Sequence, residues 1–125
     1  MASRTIRITA GDVSATATLD ASKTADAIWK VLPIEAKGNT WGDEIYFDIG
    51  VAIEAESPKE TVGMGDLGYW PPGSAFCIFY GRTPASVGDE IRPASAVNVF
   101  GRVDGDATIF KNVRSGAKVK LERVV

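Results

Sequence analysis

The chain has 125 residues, 45% of them hydrophobic, with 14 basic and 16 acidic side chains and a formal charge of −2. That is the size and balance of one soluble globular domain over residues 1–125, and its evenly spread charge gives no electrostatic footprint for nucleic acid or an anionic membrane. Histidine is absent, which removes Ser-His-Asp and Cys-His nucleophile systems, imidazole-ligated zinc and a histidine general base together.

Taken in order, Thr5 to Thr9 alternates polar and apolar residues, Ala10-Gly11-Asp12 supplies a turn, and Val13, Ala15, Ala17 and Leu19 alternate again. This predicts an opening β-hairpin. Asp20 or Ser22 then offers an N-cap oxygen. Ala25, Ile28, Trp29 and Leu32 follow at helical spacing and Pro33 stops the run, which predicts the one principal helix, with Trp29 in the core. Ile34 to Lys37 and Glu44 to Ile49 read as strands, the second with Ile45, Phe47 and Ile49 facing inward and Glu44, Tyr46 and Asp48 on a solvated face. Trp41 sits between them among turn residues.

The polar stretch Val51 to Thr61 is expected as a variable surface loop. Gly63-Met64-Gly65-Asp66-Leu67-Gly68 fits G-x-G-x-x-G, but Pro71 and Pro72 bar the helix that a dinucleotide site requires, so the stretch reads as a turn. Gly65–Trp70, Ser74–Gly81, Ala96–Val103 and Ala117–Val124 supply further strands, and Ala107 to Val113 a short second helical turn. The Ser74–Gly81 strand is apolar on both faces, Ala75, Cys77 and Phe79 on one and Phe76, Ile78 and Tyr80 on the other, and so is expected to be central.

About eight strands, one principal helix and Gly/Pro turns predict a mainly β fold, a closed antiparallel barrel, with a sandwich carrying one helix as the alternative. The densest chemistry lies in residues 65–84, where five aromatics gather. Trp41, Tyr46, Trp70, Tyr80 and Arg82 are the candidate ligand-binding residues, the aromatics for apolar contact and Arg82 as polar anchor. Cys77 lacks any neighbour in sequence to lower its pKa and reads as a buried structural thiol. Glu44 and Asp48, without a loop of further oxygen ligands, fall short of a metal site, and no cofactor is expected. The N-terminal MASRTIRITAGD lacks the apolar stretch of a secretory signal, and the single cysteine fits a reducing compartment, so a cytoplasmic protein is expected.

The opening hairpin with DASKTADAIWKVLPIEA, then GDEIYFDIG, YWPPGSAFCIFYGRTPAS and NVFGRVDGD resembles the small cyclophilin-like domain family of bacteria and archaea, whose members mostly lack an assigned function. The resemblance implies a cyclophilin barrel, and Val99-Phe100-Gly101-Arg102-Val103 is similar to the VFGKV strand of the peptidyl-prolyl isomerases. Those enzymes carry an FHRI-type strand whose arginine polarises the proline amide, and a groove histidine. Here the comparable strand reads Asp43-Glu44-Ile45-Tyr46-Phe47, so neither residue carries over. Three functions follow as expectations. The first is binding of a small molecule or extended peptide in an aromatic-lined cleft; the others are weak isomerase activity with Arg82 as the cation, and a structural or assembly role as a homo-oligomer.

Overall fold

Alternating Ile6, Ile8 and Ala10 build strand β1 (Arg4–Ala10), which pairs with β2 (Val13–Leu19) from Arg4 opposite Leu19 to Ala10 opposite Val13. Helix α1 (Lys23–Val31) follows, capped by the Ser22 hydroxyl, which accepts from the Ala25 N–H at 3.0 Å. The computed structural model describes residues 4–124. Its remaining strands are β3 (Ile34–Lys37), β4 (Asn39–Thr40), β5 (Glu44–Asp48), β6 (Asp66–Trp70), β7 (Ala75–Phe79), β8 (Asn98–Val103) and β9 (Lys118–Val124). Two short 3-10 turns, Pro71–Gly73 and Ala107–Asn112, complete the chain.

All nine strands join one antiparallel sheet in the order β3-β9-β1-β2-β8-β6-β7-β5-β4. The two ends of that order, β3 and β4, are one stretch of chain interrupted by Gly38. The Gly38 N–H donates to the Ala117 carbonyl at 2.8 Å and its own carbonyl accepts from the Gly116 N–H at 2.7 Å. One edge of the sheet therefore continues into the other, and the sheet curls into a nearly closed barrel, leaving few free edge groups. A Cβ on Gly38 would lie 2.9 Å from Val119 Cγ2 and 3.2 Å from Ile45 Cγ2, so glycine is what allows the closing strands to meet. Strand β4, the addition to the eight expected, falls in a stretch that reads as turn; two residues are too few to show a period.

The barrel is filled, not hollow. Phe76 stacks on Phe47 at 5.2 Å and meets Phe100 edge-on at 5.3 Å, with Ile6, Ile8 and Leu121 around them, all buried. Helix α1 lays Ala25 and Ile28 against this core. Trp29, expected inside, is only partly buried: the guanidinium carbons of Arg4 and Arg123 lie 5.8 and 5.0 Å from its ring centre. A large indole at the end of a helix covers the core while keeping one side for surface cations.

The Val51–Thr61 excursion is exposed in large part but firmly held. The buried Tyr69 hydroxyl donates to the Val51 carbonyl at 2.5 Å and accepts from the Ile53 N–H at 3.1 Å. Asn98, fully buried in β8, accepts from the Glu56 N–H and donates to the Glu54 carbonyl, both at 2.8 Å. Glu56 in turn accepts from the Lys23 and Thr24 N–H groups, satisfying donors that the first turn of α1 leaves free. The glycine-rich Gly63–Gly68 stretch is a turn into β6, as the two prolines require: Gly63 N–H donates to Asp66 Oδ2 at 2.7 Å. No helix among the described residues is long and apolar enough to cross a membrane.

Candidate functional site

Strand pairing decides what the outer face of the barrel carries. Glu44 stands opposite Phe79, Tyr46 opposite Cys77 and Asp48 opposite Ala75, so these side chains share one side of the sheet while Ile45 and Phe47 point into the core. On that outer side Ala75, Cys77 and Phe79 form a second apolar cluster with Ile91 and Val97, flanked by Tyr46 and Trp70. Strand β7 is thus buried on both faces, as its sequence predicts: by the core within, and by the returning segment 91–97 without.

The connection over residues 83–97 is held by its own polar groups. The Thr83 hydroxyl donates to the Arg92 carbonyl, the Ser86 hydroxyl accepts from the Thr83 N–H at 3.0 Å, and Glu90 accepts from the Gly88 N–H at 2.6 Å. Isolated β-bridges of Ile91 to Val62 and Val97 to Lys59 fasten its far end. Where this cover stops, a cavity of about 260 Å³ opens, lined by Trp41, Glu44, Tyr46, Trp70, Pro93, Ala94 and Val97.

Each aromatic wall has a local cause. Trp70 ends β6, its indole Nε1–H donates to Ser95 Oγ at 2.6 Å, and Gly73 lies beneath its ring, where a Cβ would come within 2.8 Å of Cζ3. The Pro71-Pro72-Gly73 turn therefore serves as a seat for the indole. Trp41 closes the tight β4–β5 connection, its N–H donating to the Glu44 carbonyl at 2.9 Å. Both tryptophans and Tyr46 are half-buried.

Glu44 overturns the expectation of a solvated strand face. It is 5% exposed, and its Oε1 has no hydrogen-bond partner. Burial pushes its pKa from 4.5 up to about 7, against the smaller opposing effect of the Cys77 thiol. Asp48, two positions along the same face, is exposed and caps the Gly50 N–H at 2.7 Å. Alternation put both carboxyls on one side but could not show that only the first is roofed over. Cys77 is buried and its thiol pKa is driven well above the ordinary value by desolvation and by Glu44, in keeping with a structural thiol.

Three of the five candidate residues, Trp41, Tyr46 and Trp70, meet at this cavity, while Tyr80 and Arg82 stand apart from it. Tyr80 is buried with Phe76 and Ile78, its ring 6.1 Å from Phe110, and desolvation raises its pKa to about 12. Its own alternation pattern indicates that side. Arg82 is exposed, with Nη2 3.4 Å from the Ser86 carbonyl. Pro93, Ala94 and Val97 were not singled out by sequence, because nothing local tells where a long connection will fold back. Among the described residues, no group of three or more His, Cys, Asp or Glu side chains is placed to hold a metal ion.

A search of curated proteins found no match. Among solved structures, the chain is similar to a hypothetical protein from Archaeoglobus fulgidus studied in solution, with 42% identity and a TM-score of 0.82 over 98% of this chain and 95% of that one. The sequence profile described as cyclophilin-like matches residues 4–122. With the barrel, the profile and this relative in agreement, the chain belongs to the cyclophilin-like family.

Proposed function

We propose that the protein is a binding protein that seats a small organic molecule in the cavity bounded by Trp41, Tyr46 and Trp70. The observation that carries this reading is the convergence of three half-buried aromatic side chains and one buried carboxyl on a single cavity. Ligand sites are concave and mostly apolar, with few polar groups, and this one has that composition. Its volume of about 260 Å³ suits a ring-sized molecule better than several residues of an extended peptide. The Trp70 ring is already held by its Ser95 bond and the Gly73 seat, which favours binding because less order has to be gained when the ligand arrives.

Isomerase chemistry finds less support here. Among the described residues no arginine lines the cavity, and its charged lining group is the Glu44 carboxyl, the opposite of a group that would polarise a proline carbonyl.

The test is NMR on labelled protein with a panel of small ring compounds and one Xaa-Pro peptide. Ring compounds are expected to shift the Trp41 and Trp70 indole signals, and a folded Trp70→Ala protein to lose that response. Shifts that map elsewhere, or full affinity in Trp70→Ala, would overturn the reading. Faster cis/trans exchange of the peptide, abolished by Arg82→Ala, would replace it with the isomerase.

A further inference from the structure

We propose that the ligand of this cavity is a small organic ammonium ion, its N–H groups donating to the Glu44 carboxylate and its carbon framework lying between Trp41, Tyr46 and Trp70. The inference rests on the binding role proposed above and adds the chemical class.

Glu44 Oε1 is the reason. Buried side-chain oxygens nearly always have a partner, since an unpaired one loses its water without compensation. Glu44 is 95% removed from solvent by the complement of its 5% exposure, yet Oε1 has none. The other lining residues cannot supply a cation: they are aromatic, proline, alanine and valine. The Trp70 Nε1–H is already committed to Ser95. A donor brought by the ligand would complete the site, and a charged donor most effectively, because a charge-assisted bond to a carboxylate is roughly twice as strong as a neutral one.

The aromatic walls select the same class. Indole and phenol rings attract cations through their electron-rich faces, most strongly where water is excluded. An anion would meet a carboxylate and no basic side chain. A divalent metal ion would find one carboxylate where it needs several oxygens.

Groups close to Glu44 leave its charge as the variable near neutrality. Cys77 on β7 titrates well above its ordinary value and Tyr80, which faces both Glu44 and Asp43, at about 12. An ammonium ligand needs the ionised form of Glu44, so its affinity should fall as Glu44 takes up a proton.

The experiment titrates cyclohexylammonium, cyclohexanol and cyclohexanecarboxylate into the protein at pH 8 and pH 6, following the tryptophan indole signals. At pH 8 the ammonium should bind at least about tenfold more tightly than the alcohol, and the carboxylate more weakly than either. With a Glu44 pKa of about 7, ammonium affinity should fall about tenfold at pH 6 while the alcohol is unaffected. Glu44→Gln should bring ammonium affinity down to about that of the alcohol, and tryptophan indole signals that still respond to the alcohol show the cavity intact. Equal binding of all three compounds, or an ammonium affinity that does not change with pH, would overturn the cation inference and leave the cavity's binding role standing. Failure of all three to bind would overturn both.

Discussion

Glu44 makes the stability of this protein depend on pH in a direction unusual for a carboxyl group. Most paired carboxylates have depressed pKa values and lose stability on acidification, but Glu44 is held at about 7 against 4.5 in the unfolded chain. Between those values the folded state binds the extra proton. Stability is therefore fully present below pH 4.5, declines as the pH rises through that window, and levels off above the folded pKa. A shift of that size corresponds to about 3 kcal/mol at 1.36 kcal/mol per unit, most of it lost between pH 5 and 8.

The chain is well suited to the measurement, because it has no histidine to titrate in the same range. Glu90, lowered to about 2, and Glu56 and Asp106, also lowered, lose their ionised forms only in more acidic solution. Urea unfolding at pH 5, 6, 7 and 8 should show the midpoint falling by about 1 M or more, given m-values of about 1–3 kcal/mol/M. Glu44→Gln keeps the shape and removes the charge, so its midpoint should be nearly level across the series and should exceed the parent's at pH 8. A parent whose stability holds or rises from pH 5 to 8, or a Glu44→Gln protein with the same slope as the parent, would refute the argument.

Other substitutions test the frame around the site. Asn98→Ala removes the partners of the Glu56 N–H and the Glu54 carbonyl and should cost roughly 3 kcal/mol in urea unfolding. Gly38→Ala pushes a methyl between Val119 and Ile45 at the barrel closure and should cost about 1–3 kcal/mol; no measurable loss would mean that the closing strands can spread freely. Gly73→Ala should lift the Trp70 ring from its seat, moving the indole N–H signal that reports the Ser95 bond, at a stability cost of about 1 kcal/mol. Cys77 should resist thiol reagents at pH 8 in the native state and react once urea unfolds the chain; rapid stoichiometric labelling of the native protein would contradict its burial.

How far the sequence could be read follows the range of the interaction concerned. The hairpin Arg4–Leu19 and the helix over Lys23–Val31 depend on neighbours, on alternation and on a capping serine, and both are legible. The two-faced burial of β7 is legible as well, because both sets of alternate residues are apolar over Ala75–Phe79. Barrel closure through Gly38 depends on Val119 and the Gly116–Ala117 backbone, which lie far from it in the chain, and a single glycine does not announce the function.

The site has the same division within it. Trp41, Tyr46 and Trp70 are visible as large aromatics beside turns or on an outward strand face, and the structure brings all three to one cavity. What turns that face into a cavity is the return of residues 93–97, held through Ser95, Val97 and the self-bonded connection before them. Glu44 lies buried beside the cavity that this segment bounds while Asp48 is exposed, although the two share a strand and a face. A carboxyl's chemistry is thus set less by its own strand than by what a distant segment places over it, and period-two reasoning, which sorts residues only into inward and outward, has no term for a covered exterior. The outer face of a small barrel is where such a cover creates a buried carboxyl without disturbing the core, and among the described residues that carboxyl is the ionisable acid around which the aromatic walls are arranged.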